Sequence, residues 1–321
     1  MSLTLHTMEC PQSTYMDCAG RAEGFRRHVR RCPDRILGAF LQLFFCWLGV
    51  AAATHPDAGL PAPPTLKPVT LAAFERYVKL TESRNEAELR NGTPLFWIDD
   101  LTAPQRAEAY AALDRGEIKL RRLETLDNGA KIVCPGGLIH HWAGLVFIPG
   151  AKLDGVLNVL QDYDHHSIYY APDVERSKIE SRDGAHFRVF LRFRRHKVIT
   201  VVLNSEHDVH YFRDSETRAH SRSSATRIAE VENPGKADER EKVPGQDDGF
   251  LWRMETWWRM EERDSGVYVQ SEVVSLTRDI PTGLGWLIGP FVTSIPKESL
   301  TFTLEATRNA VNVKSRIVPA N

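Results

Sequence analysis

Between Val174 and Arg278 the sequence keeps returning to short extended segments and never offers a long helical repeat. The stretches 174–181, 187–193, 198–203, 209–212, 218–231, 251–262 and 267–278 are punctuated by turn sequences. These are Arg182-Asp183-Gly184, Asn233-Pro234-Gly235, Gln246-Asp247-Asp248-Gly249 and Asp264-Ser265-Gly266. Strands joined by such short turns pair with their neighbours in antiparallel fashion, so this half of the chain predicts a meander. A further strand is expected over 137–148, ending at Pro149-Gly150. Leu153, Val156, Leu157 and Leu160 then follow helical spacing up to Tyr163. The meander closes on Ser294-Ile295-Pro296-Lys297-Glu298, a helix-start signature. The helix it predicts runs to about Val313 and carries Leu300, Leu304, Thr307 and Val311 on one face.

The 321 residues hold 42% hydrophobic and 26% charged side chains, enough for a sizeable core. Lys and Arg total 41 against 42 Asp and Glu. No basic field exists to hold a phosphate backbone, and nucleic acid is not an expected partner. Five arginines, Arg26, Arg27, Arg30, Arg31 and Arg35, precede an apolar run from Ile36 to Ala53 interrupted only by Gln42. A basic segment, an apolar segment and the small residues Ala51-Ala52-Ala53 read as a signal peptide over 1–53, with an uncleaved anchor as the alternative. Cys10, Cys18, Cys32 and Cys46 all fall inside it, leaving Cys134 with no disulfide partner. The expected location is exported, periplasmic or extracellular. A Pro-rich linker follows over 54–68. Residues 69–136 then read as a mainly helical extension, broken at Asn91-Gly92-Thr93-Pro94, with Leu95-Phe96-Trp97-Ile98 as an apolar plug.

The most informative strand chemically is 251–262. At a period of two, Trp252, Met254, Thr256, Trp258 and Met260 share one face, and Arg253, Glu255, Trp257, Arg259 and Glu261 share the other. Thioethers and indoles suit either a core against the terminal helix or a cavity for an irregular apolar ligand. The charged face reads as solvated. Glu272 or Ser271 lies across from the apolar face, according to the hairpin register. The apolar segment from Gly283 to Val292, with Trp286 and Phe291, reads as a loop before the helix that gates a pocket, touches a membrane surface or packs down as a buried turn.

Asp162, Asp164, His165 and His166, His140-His141, and Glu206-His207-Asp208-Val209-His210 have the residue types of a zinc site. None has ligand spacing, because adjacent histidines on a strand point to opposite faces; no metal or cofactor is expected. No nucleophile elbow, P-loop or dinucleotide fingerprint occurs.

The order strand, short helical insert, antiparallel strands, long C-terminal helix resembles the START-like, or polyketide-cyclase-like, helix-grip superfamily. Leu145-Val146-Phe147-Ile148-Pro149-Gly150-Ala151 resembles its first strand and turn, and 294–313 its gripped helix. The resemblance implies an α+β domain over 137–313, with a curved antiparallel sheet around the long helix and a tail at 314–321. It also implies an apolar ligand held between sheet and helix. The expected lining is Trp252, Met254, Trp258, Met260, Glu272, Trp286, Phe291, Leu300, Leu304 and Thr307. The expected function is binding of a lipid or other hydrophobic molecule, with its transfer in the cell envelope as a further expectation. The alternative is a cyclase or aromatase that uses a polar pair such as Glu272 with an Arg or His in the same cavity.

Overall fold

A computed structural model of the chain describes residues 65–196, 199–280 and 285–317; the side chains of 285–293 and 316–317 are outside that description. The proposed signal segment and most of the linker therefore lie outside the described residues, as does the end of the tail. No helix among the described residues is long and apolar enough to cross a membrane.

Helix α1 (Pro68–Asn91) starts with proline in its first turn and ends at Gly92, whose φ of 71° caps the helix in the left-handed region. Thr70, Phe74, Tyr77, Val78, Thr81 and Asn85 are its buried stripe. The plug expected after the break is a 3-10 turn, Trp97–Asp100, with Phe96 and Ile98 fully buried. Helix α2 (Ala103–Asp114) follows. Strand β1 (Lys119–Arg122) and a small hairpin, β2 (Leu126–Asp127) with β3 (Ala130–Lys131), complete the extension. The sequence pattern predicts no strand here, because Lys119-Leu120-Arg121-Arg122 offers a single apolar residue.

Next come β4 (Gly137–Pro149), α3 (Leu153–Leu160), a 3-10 turn over Tyr163–His165 and the single-turn α4 (His166–Tyr169). The meander comprises β5 (Val174–Asp183), β6 (His186–His196), β7 (Thr200–Arg213), β8 (Arg218–Glu232), the short β9 (Arg240–Glu241), β10 (Arg253–Arg263) and β11 (Gly266–Arg278). Helix α5 (Gly285–Ile317) ends the described chain. The main sheet is antiparallel and ordered β1-β4-β11-β10-β8-β7-β6-β5, with β9 beside β8. The molecule is thus α+β, a large curved antiparallel sheet with a long C-terminal helix.

Two expected boundaries differ. Residues 200–203 of the first expected stretch and 209–212 of the second belong to one strand, β7. The polar residues between them alternate across the sheet rather than forming a turn, with a register shift at Glu206/His207 absorbing the irregularity. The segment expected as a loop before the terminal helix is helical from Gly285 onward, so Ser294-Ile295-Pro296 lies about two and a half turns inside α5 rather than at its start.

Over β4, β10 and β11 the sheet is buried on both faces. On the concave face Val146, Ile148, Val267, Val269, Met260, Phe187 and Val189 pack with Leu153, Val156 and Leu160 of α3 and Leu300, Leu304 and Val311 of α5. On the opposite face Phe74, Tyr77 and Val78 of α1 cover Trp252, Trp257, Val274 and Leu276. Beside them Phe96, Ile98, Ala109 and Leu113 cover Leu145, Phe147 and Tyr268. The outer face of β10 is therefore not solvated as its alternating charges suggest, because apolar residues of β4 and β11 surround them and draw the N-terminal helices down.

Helix α5 approaches the sheet closely at Gly144. A Cβ there would lie 2.6 Å from Leu304 Cδ1, 2.8 Å from Leu120 Cδ2 and 3.2 Å from Leu300 Cδ2. Gly144→Val is expected to cost about 1–3 kcal/mol by overpacking. The check is a lower urea midpoint at unchanged denaturant slope.

Candidate functional site

Directly opposed residues form rows across the concave face. One row runs Val146 (β4), Val269 (β11), Met260 (β10), Ala219 (β8), and all four side chains are buried. The next runs Gly144, Ser271, Trp258, Ser221, Tyr211 (β7), and Trp258 alone in it is half-buried. The third runs Trp142, Val273, Thr256, Ser223, Val209, Phe187 (β6), and its first four members are all half-buried. Burial thus falls from the Met260 row to the β4, β11, β10 and β8 members of the Trp142 row, while Val209 and Phe187 at its far end stay buried. The sheet is filled at one end and opens along an aromatic and hydroxyl-bearing surface at the other.

The polar groups of this surface are distinctive. Ser221 Oγ and Ser271 Oγ flank Trp258, are inaccessible to solvent, and have no hydrogen-bond partner among the described residues. A buried unpaired hydroxyl costs about 1–3 kcal/mol, so such a pair calls for an explanation. Close by, His207 (β7) is buried on the same face, its Nε2 2.9 Å from Ser205 Oγ and its Nδ1 3.4 Å from Ser223 Oγ. Burial lowers its pKa to about 4, so it is a neutral ring at pH 7. At the filled end Tyr163 and Tyr211 share a 2.8 Å hydrogen bond, and Tyr211 also donates to the carbonyl of Leu160.

The residues expected to line one cavity are divided by the structure. Trp258 and Met260 face α5, where Leu300, Leu304 and Thr307 are buried. The Thr307 hydroxyl is already engaged, donating to the Thr303 carbonyl and sitting 3.0 Å from Tyr170 Oη. Met254 is half-buried against the cluster of Leu203, Ala225 and Ile228. Trp252 precedes β10 and packs on the outer side under α1, with its indole N–H donating to Asp247 at 2.8 Å. The period of two does not extend to Trp252, because the strand begins only at Arg253. The side chains of Trp286 and Phe291 are outside the described residues.

Glu272 is also on the outer side. Its register partner is Trp257, and Ser271 is the residue opposite Trp258. There it forms a buried polar cluster beneath α1. His141 Nε2 lies 2.8 Å from Glu272 Oε1, and Tyr77 Oη lies 2.9 Å from His141 Nδ1. A carboxylate only accepts, so His141 donates through Nε2. The neutral ring then accepts the Tyr77 O–H, and Tyr77 in turn accepts the backbone N–H of Thr125 at 2.7 Å. Arg84 of α1 pairs directly with Glu272. Arg259 of β10 donates to Asn85 at 2.7 Å, to Glu88 at 2.6 Å and to the Leu95 carbonyl at 3.0 Å. Burial raises the Glu272 pKa, but the His141 hydrogen bond and the Arg84 charge outweigh it and hold the group at about 2. This cluster fastens the extension to the sheet, and it is remote from the concave surface by the thickness of the sheet. Sequence reasoning left Ser271 open as the alternative to Glu272, weighed His207 only among metal-type residues, and passed over Ser221. The signal available for His207 is its alternation with Val209 and Tyr211.

No protein-family model matches the chain, and no curated protein matches it. Solved structures similar to it in fold include a STAR-related lipid transfer protein fragment from Xanthomonas axonopodis, with a TM-score of 0.39 and 16% identity over 60% of this chain and 98% of that one. A START superfamily protein from Mycobacterium smegmatis matches at a TM-score of 0.35 and 11% identity, covering 54% of this chain and 97% of that one. The Zhui aromatase/cyclase from Streptomyces matches at 0.35 and 16%, covering 57% and 99%.

Proposed function

We propose that this protein binds a largely apolar molecule, a lipid or another hydrophobic compound with a small polar group, between the concave face of its sheet and α5. The gradient of burial across the three rows carries this reading. A solid core would bury Trp142, Thr256, Trp258 and Val273 as completely as Met260 and Val269. Here large apolar side chains stay partly uncovered in the concavity, next to hydroxyls that lack partners among the described residues. Hydroxyls and a neutral imidazole can recognise a polar group but do not by themselves assemble an acid–base pair. The carboxylate considered for cyclase chemistry, Glu272, lies on the other face, so binding is the reading favoured over catalysis. The basic and apolar segments of residues 26–53 support export and action in the cell envelope, where carrying such a ligand between membrane surfaces would be the use.

The test is native mass spectrometry of protein purified from its own host, with organic extraction of any retained compound, alongside titration with a fluorescent fatty acid. Trp258→Ala is expected to weaken the probe at least about tenfold, as loss of an aromatic anchor does. Its loss of stability should stay well below the about 3–5 kcal/mol of a Trp truncated in a solid core. Equal probe binding by wild type and variant, with a full core-sized loss of stability, would overturn the reading.

A further inference from the structure

The outer face of the sheet away from α1 and α2 carries a second group of functional side chains. His186 of β6 stands directly opposite His210 of β7, and Asp208 is two residues before His210 and so on the same face. Both imidazoles converge on the one carboxylate. His186 Nε2 is 2.9 Å from Asp208 Oδ2, and His210 Nε2 is 2.8 Å from Asp208 Oδ1. The rings are stacked, with centroids 4.0 Å apart and planes 6° from parallel. One ligand atom from each residue can be chosen so that all lie within 4.8 Å of one another. Ligand spacing along the chain fails here only because the third ligand comes from the neighbouring strand.

We propose that His186, Asp208 and His210 bind one divalent cation of the zinc class. Zinc bonds of about 2.0–2.2 Å place tetrahedral ligand atoms roughly 3.3–3.5 Å apart, so the two imidazole–carboxylate contacts at 2.9 and 2.8 Å need to open by only about half an ångström to admit the ion. Two imidazole nitrogens and one carboxylate oxygen suit Zn²⁺, Ni²⁺ or Cu²⁺ over Mg²⁺ and Ca²⁺, which prefer all-oxygen sets. The strands hold the ligands rigidly, since β6 and β7 are flanked by β5 and β8. The side chains keep exposures of 36%, 34% and 47%, in the order His186, Asp208, His210, which leaves a fourth position for water or an external ligand. Two cations face the group: Arg188 opposite Asp208, and Arg222 opposite His210. Arg222 is paired with Glu82 and Glu255. Their charge moderates affinity, and the site is one for exchangeable metal.

The full chain, stripped of metal by a chelator, is titrated with Co²⁺ while its visible absorption is followed. One equivalent should produce a saturable band that Zn²⁺ abolishes. His186→Ala and Asp208→Asn should each weaken Co²⁺ at least about 100-fold, since even the outer partners of a ligand are worth 10–100-fold. His220→Ala, on the same face but outside the triad, should leave the titration unchanged. Circular dichroism checks that each variant is folded, and Asp208→Asn keeps the shape of the residue it replaces. No saturable band at one equivalent, or unaltered affinity in both His186→Ala and Asp208→Asn, overturns the proposal.

Discussion

Acidification from pH 7 to pH 4 is expected to unfold this protein, with most of the stability lost between pH 6.5 and 4. His140, His166 and His207 are buried, and burial is the first cause that lowers the pKa of each to about 4. In the unfolded chain these groups titrate near 6.5. Below that value the unfolded state therefore binds protons that the native state refuses, and stability falls with falling pH until the native pKa is reached. A drop from 6.5 to about 4 is worth roughly 3 kcal/mol for each ring. Three together rival the about 5–15 kcal/mol that holds a typical domain folded. His141 acts in the same direction, its pKa lowered first by burial. Far-UV circular dichroism against pH at constant ionic strength is the measurement. His207→Gln should shift the acid midpoint downward, because one proton sink disappears from the unfolded state. Cooperative unfolding that begins only below pH 3 would sink this account.

Glu272→Ala is expected to destabilise the fold by about 3–5 kcal/mol, the range for breaking a buried pair by removing one partner. The substitution leaves the Arg84 guanidinium and the His141 N–H without their acceptor under α1. Glu272→Gln keeps an acceptor for His141 but no charge for Arg84, and should cost less. Since Glu272 has its pKa held at about 2 in the native state, its contribution is fully present above about pH 4.5 and lost as pH falls through 2. Urea unfolding of both variants at pH 7 gives the magnitudes. Limited proteolysis should show α1 released first, with cleavage between 68 and 91. A loss under 1 kcal/mol for Glu272→Ala would mean that the apolar contacts of Phe74, Tyr77 and Val78 hold the helix without the charges.

Much of the architecture is legible in local pattern. The turns at Arg182-Asp183-Gly184 and Asp264-Ser265-Gly266 join strands where their chemistry places them, and β4, β6, β8, β10 and β11 fall close to the expected spans. The face of α5 bearing Leu300, Leu304, Thr307 and Val311 does turn to the interior. These features depend on residues a few positions apart, and periodicities of two and 3.6 report them directly.

The facing of Glu272 is a different kind of fact. A one-residue change of register exchanges Ser271 for Glu272 beside Trp258, and only pairing with β10 decides between them. His207 and His210 lie three residues apart in the sequence and on opposite faces of the sheet. One joins the concave surface, and the other meets His186 from another strand. The sequence alone determined most strands of the meander, the presence of the long C-terminal helix and the near-neutral charge. Tertiary structure decided which polar residues meet and that the charged face of β10 lies beneath α1. The first depends on strand register and pairing, and the second on contacts between segments more than a hundred residues apart, and no local period reports either.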